Sequence, residues 1–248
     1  MSTPSRSVQR FELKYNINIF QYYAIRNQIM SHMRKDRFTL IEPTQRYFVR
    51  SLYYDTRDYA SFHEKMGGDT NRVKYRIRTY GPVLDDSTKI RVELKVKRGN
   101  AMEKYSEFLP AEKIQNYGFD PDFHGCQSPV FQEYERGVRL RNLQPMILVE
   151  YQREAFEDRA QNGLRITFDH DVRSCSSHEL FPSQPKFYRT HNPHRVVLEI
   201  KHWESPPRWL SNLVRDHGLK LVANSKFTQG LQAARHELYH PDGVVWIR

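Results

Sequence analysis

Cysteine is scarce in this chain: only 2 of its 248 residues are Cys. Cys126 and Cys175 lie far apart and outside any Cys-x-x-Cys arrangement, which excludes a disulfide framework and a zinc knuckle. Long apolar runs are also missing. The longest, residues 146–149 and 196–198, fall far short of the roughly 18 residues of a membrane-spanning helix. No apolar segment follows the polar residues 1–8, so no secretory signal is expected. Neither Gly-x-x-x-x-Gly-Lys-Ser/Thr nor Gly-x-Gly-x-x-Gly occurs, and Gly67-Gly68-Asp69 is too short for a phosphate loop and reads as a turn. Repeats, low-complexity blocks and Gly/Ser linkers are absent, which points to one domain over residues 1–248. A reduced, cytoplasmic protein is the economical expectation.

What the chain does have is positive charge and aromatic bulk. Lys+Arg number 39 against Asp+Glu 29, giving a formal net charge of +10. With 38% hydrophobic and 13% aromatic residues it can build a core. The charge calls for an anionic partner: nucleotide, polyphosphate, nucleic acid or membrane surface. Strand-like segments cover residues 8–15, 45–54, 72–80, 89–97, 102–109, 146–156, 164–169 and 195–202. Asn18 is a candidate N-cap for a helix through about Arg34, and shorter helices fit 57–65, 129–142, 207–217 and 226–240. Strands follow strands by short connections, so an antiparallel sheet in an α+β fold is expected.

The polar side of these strands is informative, because successive side chains face opposite ways. Arg10, Glu12 and Lys14 alternate with Phe11, Leu13 and Tyr15; Lys74, Arg76 and Arg78 with Val73, Tyr75 and Ile77. Arg91, Glu93, Lys95 and Lys97 alternate with Ile90, Val92, Leu94 and Val96. Arg165, Thr167 and Asp169 form another such row, as do Glu199 and Lys201. In residues 102–109 Lys104 and Ser106 share a side with Met102, so the inward face there is ambiguous. Glu150 and Arg153 have opposite parity, and a bulge would be needed to bring both to one side. A sheet with one solvated face gives this alternation. The alternative is a closed barrel whose charged interior is filled by a counter-charged phosphate chain, with Glu residues holding a hard divalent cation.

These rows resemble the catalytic domain of the VTC polyphosphate polymerases, a branch of the triphosphate tunnel metalloenzymes. The likeness lies in Phe11-Glu12-Leu13-Lys14-Tyr15, Ser51-Leu52-Tyr53-Tyr54-Asp55-Thr56, Lys74-Tyr75-Arg76-Ile77-Arg78-Thr79-Tyr80, Glu93-Leu94-Lys95, Val149-Glu150-Tyr151-Gln152-Arg153, Leu164-Arg165-Ile166-Thr167-Phe168-Asp169, Leu198-Glu199-Ile200-Lys201 and Ser225-Lys226-Phe227. The resemblance implies a closed antiparallel eight-stranded β-barrel, a triphosphate tunnel, with helices packed outside. It implies that Lys14, Arg76, Arg78, Lys95, Lys104, Arg153, Arg165, Lys201 and Lys226 line the tunnel. Ser225 would offer a hydroxyl to phosphate, and Arg10, Glu12, Glu93 and Glu150 would bind or position substrate. Glu199 would hold Mn2+ or Mg2+. ATP and inorganic polyphosphate are the implied partners. Nucleic acid is not expected, and a membrane partner that receives the polymer is compatible with the family.

Two departures bear on activity. Arg10 stands where the triphosphatase and cyclase branches carry the first Glu of Glu-x-Glu-x-Lys, which favours transfer of the ATP γ-phosphoryl onto a polyphosphate chain over simple hydrolysis. Val222-Ala223-Asn224 lacks a further Lys that the polymerase family often carries before Ser-Lys-Phe, so one phosphate contact is expected to be missing. The alternatives are a triphosphatase of the same superfamily and a non-enzymatic polyphosphate-binding module. His236-Glu237-Leu238-Tyr239-His240 matches a zinc motif, but Pro241 follows at once, and a helix end with His near its negative dipole is the better reading. His191-Asn192-Pro193-His194 reads as a polar turn, and Phe20 and Tyr23 as packing residues of the first helix.

Overall fold

The computed structural model describes residues 11–99, 101–109, 113, 123, 127–159, 163–203 and 205–234. Its strands are β1 (Phe11–Asn18), β2 (Met33–Lys35), β3 (Tyr47–Asp55), β4 (Asn71–Thr79), β5 (Ile90–Arg98), β6 (Ala101–Leu109), β7 (Gln144–Asp158), β8 (Arg165–Ser176), β9 (Arg189–Thr190) and β10 (Arg195–His202). The helices are α1 (Ile19–His32), α2 (Arg37–Ile41), α3 (Ala60–Met66), α4 (Pro129–Arg141), α5 (Arg208–Asp216) and α6 (Lys226–Ala234). All eight expected strands are present, with α1, α3, α4, α5 and α6 near the expected helices. Residues 235–240, including the His-Glu-x-x-His sequence, and Arg10 lie outside the described residues.

One hydrogen-bonded path runs β1-β10-β8-β7-β3-β4-β5-β6, with β2 on β7 and β9 on β8. The α+β expectation holds, but among the described residues no pairing joins β1 to β6, so closure of the barrel by hydrogen bonds is not observed. Among the described residues β6 pairs with β5 and ends the path.

The chain forms two compact units. The first comprises residues 1–47, 152–171 and 193–224, the second 48–151, 172–192 and 225–248. In the first, Tyr15, Ile17, Tyr22, Ile25, Ile29, Phe156, Ile166, Phe168, Leu198 and Ile200 form the core. Helix α1 reaches it through Tyr22, Ile25 and Ile29, at helical spacing. Its start is fixed by a capping box: Asn18 accepts from the Gln21 amide at 2.8 Å while the Gln21 side chain accepts from the Asn18 amide at 3.1 Å. Phe20 (83% exposed) and Tyr23 (55%) point outward. The packing role expected for them is not seen, because the buried stripe passes through 22, 25 and 29.

In the second unit, Leu52, Tyr54, Tyr75, Ile77, Ile90, Val92, Leu94, Phe131, Tyr134 and Val138 form the core. Gly137 lets α4 lie on Tyr75: a Cβ there would overlap the Tyr75 hydroxyl and ring. Both cores take the apolar positions of the alternating strands, which leaves the charged positions on the opposite side.

Candidate functional site

In the first unit, β1, β10 and β8 bring charged residues into register on one side. Lys14 faces Glu199 and Glu12 faces Lys201 across β1 and β10, and Glu199 faces Thr167 and Lys201 faces Arg165 across β10 and β8. Lys14 Nζ lies 2.8 Å from Glu12 and 3.7 Å from Glu199, and Lys201 Nζ lies 3.1 Å from Glu199. Arg153 donates through Nε and Nη2 to Asp169 at 2.6 and 2.8 Å, with Nη2 also 3.5 Å from Glu199. Arg165 donates to Asp36 at 2.7 Å. Burial alone would raise the Glu199 carboxyl, but Lys201, Lys14 and Arg153 outweigh it and hold it well below the usual carboxylate range. Burial pushes the Lys201 ammonium down to about 8 against the pull of Glu199 and Glu12.

The second unit builds a comparable row on β3, β4, β5 and β6. Register sets Tyr53 against Arg76 and Ser51 against Arg78, then Arg76 against Glu93 and Glu93 against Ser106. Arg76 and Lys104 both pair with buried Glu93, and Arg78 lies 3.8 Å from it and donates to Ser51 at 3.0 Å. Burial opposes ionisation of Glu93, but Arg76, Arg78 and Lys104 together hold its carboxyl far below the usual range. The Lys104 ammonium, by contrast, is lowered to about 8 by burial despite Glu93. Lys74, Lys95 and Lys104 stand in line across β4, β5 and β6. Like charges facing one another this way are destabilising unless an anion joins them. Beside them α6 begins: Lys74 donates to Ser225 at 3.0 Å, and Lys226 Nζ lies 4.8 Å from the Tyr151 ring centroid.

Thus Glu12, Lys14, Arg153, Arg165, Glu199 and Lys201 fall in the first unit's row. Arg76, Arg78, Glu93, Lys95, Lys104, Ser225 and Lys226 fall in the second's. The ambiguity of β6 resolves with Lys104 and Ser106 on the side of Glu93, where Arg91 donates to Ser106 at 3.0 Å. Glu150 differs from expectation. Adjacent in β7 to Tyr151, it faces the other way and is held by Arg50 at 2.7 Å, Arg173 at 3.0 Å and the Tyr188 hydroxyl at 2.8 Å. Strand alternation is the reason.

Two residues in these rows escaped the sequence reading. Asp169 was visible only as a member of its strand's polar row, with nothing in the pattern to say that it clamps Arg153. Tyr53 sits in an aromatic run that reads as core, yet its hydroxyl accepts from Arg76 at 3.2 Å. Burial alone would raise that phenol, but Arg76, Arg78 and Lys226 bring it below its ordinary value.

A family model described as the VTC domain matches residues 9–235. The chain belongs to the VTC domain family. Among solved structures it is similar to a candidate adenylate cyclase from Bacillus halodurans, with 11% identity, TM-score 0.53, and coverage of 88% of this chain and 94% of that one. A Pyrococcus horikoshii protein matches with 13% identity, TM-score 0.46, and coverage of 90% and 98%. A Mimivirus capping-enzyme triphosphatase matches with 13% identity, TM-score 0.32, and coverage of 84% and 88%. No curated protein matches. The family match covers most of the chain, and the Bacillus likeness shows a shared fold.

Divalent metal is the cofactor that the resemblance implies, and the first unit's row offers oxygen donors for it. Glu199 and Glu12 both contact Lys14, and the buried Thr167 hydroxyl, in register with Glu199, has no hydrogen-bond partner among the described residues. One or two carboxylates with phosphate and water completing the shell is a usual setting for Mg2+. Among the described residues no group of three or more His, Cys, Asp or Glu forms a cage. The residues therefore fit an ion carried in with phosphate rather than one held by protein alone. Also among the described residues, no helix is long and apolar enough to cross a membrane.

Proposed function

We propose that this VTC-domain chain is a polyphosphate polymerase that transfers the γ-phosphoryl group of ATP to the end of a growing phosphate chain and releases ADP. The observation that carries this reading is the pair of charged rows, each dominated by Arg and Lys around buried carboxylates, Glu199 and Asp169 in one and Glu93 in the other. In the transfer, the bond from the γ-phosphorus to the bridging oxygen breaks and a terminal oxygen of the chain bonds to that phosphorus. The acceptor oxygen is already anionic, so no general base is required.

What the protein must supply is alignment and charge. Arg76, Arg78 and Arg153 stay protonated and present planar donor forks suited to phosphate oxygens. The carboxylates that hold them, Glu93 and Asp169, fix their planes before substrate arrives. Lys14, Lys95, Lys104, Lys201 and Lys226 add point charges along the chain, and Ser225 adds a hydroxyl. The proposal includes the tunnel expected of the superfamily. Glu199, with Glu12, would hold Mn2+ or Mg2+, which when bound neutralises charge on phosphate oxygens.

Incubation with ATP and manganese, with and without a short polyphosphate primer, tests the reading. Long polymer with stoichiometric ADP supports it; orthophosphate alone replaces it with a triphosphatase, and tight polyphosphate binding without turnover replaces it with a binding module.

A further inference from the structure

A second group of cations lies in the first unit, away from the charged row. Glu154 and His170 are adjacent in their strands to Arg153 and Asp169, and so face the opposite side. Glu154 is buried; it accepts from the Tyr22 hydroxyl at 2.7 Å and from Arg26 Nε at 2.8 Å. Those bonds occupy both of its oxygens.

Two further cations nevertheless converge there. Lys35 Nζ lies 3.8 Å from Glu154, and Arg46 donates to the Tyr22 hydroxyl at 3.3 Å with its guanidinium 5.6 Å from the ring centroid. Arg26, Lys35 and Arg46 against Glu154 leave 3 − 1 = 2 formal positive charges in surplus. Asp36 pairs with Arg165 and Glu157 with Arg34. Burial and then Arg26 lower the Lys35 ammonium against the pull of Glu154.

The oxygen that meets Arg26 and Lys35 is neutral. Gln45 Oε1 accepts from Arg26 Nη2 at 3.5 Å and from Lys35 Nζ. Gln45 is exposed and held at φ +56°, a left-handed backbone unusual for a residue with a side chain. His170, buried with its ring 4.6 Å from Tyr22, has an Nε2 with no partner among the described residues.

We propose that Arg26, Lys35 and Arg46, capped by Gln45, form a second oxyanion site that takes inorganic phosphate or the terminal phosphate of a chain. The two guanidinium forks and the ammonium suit a multiply charged tetrahedral anion. Gln45 Oε1 holds the place of one anionic oxygen, and the exposed turn that carries it can yield to the ligand. The site stands independently of the polymerase reading and needs no turnover to be tested.

The rate at which an acylating reagent modifies Lys35, read by peptide mass spectrometry without ATP, reports the site directly. Inorganic phosphate should slow this modification severalfold relative to chloride at matched ionic strength. Arg46→Gln, which leaves both oxygens of Glu154 bonded, should abolish the protection, and Arg76→Ala in the other unit should not. Protection by tripolyphosphate but not by phosphate would also support the site, with a chain terminus as its ligand. Equal rates in phosphate, tripolyphosphate and chloride would overturn the proposal, as would protection that survives Arg46→Gln or is lost in Arg76→Ala. Should Arg46→Gln fail to fold, calorimetric titration of Lys35→Gln with phosphate takes its place, with heat equal to wild type contradicting the site.

Discussion

At the scale of single residues, the charged rows are balanced so that the arginines stay charged while two lysines are poised to lose a proton. Lys104 and Lys201 are each brought down to about 8, chiefly by burial. Both ammonium groups are charged below that pH and are lost as it rises, so affinity for short polyphosphate should weaken between pH 7 and 9. Lys104→Arg should flatten part of that fall, and calorimetric titration at the two pH values checks it. Tyr53 offers a spectroscopic counterpart. Its phenol is held below its ordinary value by Arg76 and Arg78 against burial, so alkaline difference spectra should show one tyrosine ionising early, and Tyr53→Phe should remove that step. This residue was illegible in the sequence because an aromatic in a strand of aromatics has the same signature whether it packs or bonds an arginine. Arg76 and Lys201 were legible because charged residues alternating with apolar ones have only one side on which to lie.

At the scale of elements, period-two alternation made the long strands readable, and an N-cap followed by a buried stripe made α1 readable. The three-residue β2, the two-residue β9 and the five-residue α2 are too short to show a period. Replacing Asn18 by Ala removes the capping oxygen that Gln21 uses and should cost about 1 kcal/mol by chemical denaturation. Gly137→Ala probes a different constraint. Propensity alone favours Ala in a helix, but the added Cβ would overlap Tyr75, so α4 must shift from its sheet and stability should fall by about 1–3 kcal/mol. A gain in stability there would show that the α4–Tyr75 contact yields more easily than core packing implies.

At the scale of the whole molecule, the order of short motifs along the chain carried more than any one of them, and the family match over residues 9–235 agrees with that reading. Barrel closure is a long-range property that alternation does not encode, and among the described residues the hydrogen-bonded path does not close. The placement of Glu150 was lost for a related reason: parity was visible, but its partners Arg50, Arg173 and Tyr188 come from distant segments. Metal should behave as part of the substrate. Because Glu199 is already balanced by Lys14, Lys201 and Arg153, Mn2+ alone should bind weakly and tighten on addition of ATP. The central claim is polymer synthesis, and the direct measurement is a sizing gel of products from ATP and manganese, run for wild type, Arg76→Ala and Glu199→Ala, with folding checked by circular dichroism. Long polyphosphate from the wild type and none from either folded variant is the predicted result; polymer of undiminished length and yield from a folded variant, or no polymer from the wild type, would contradict it.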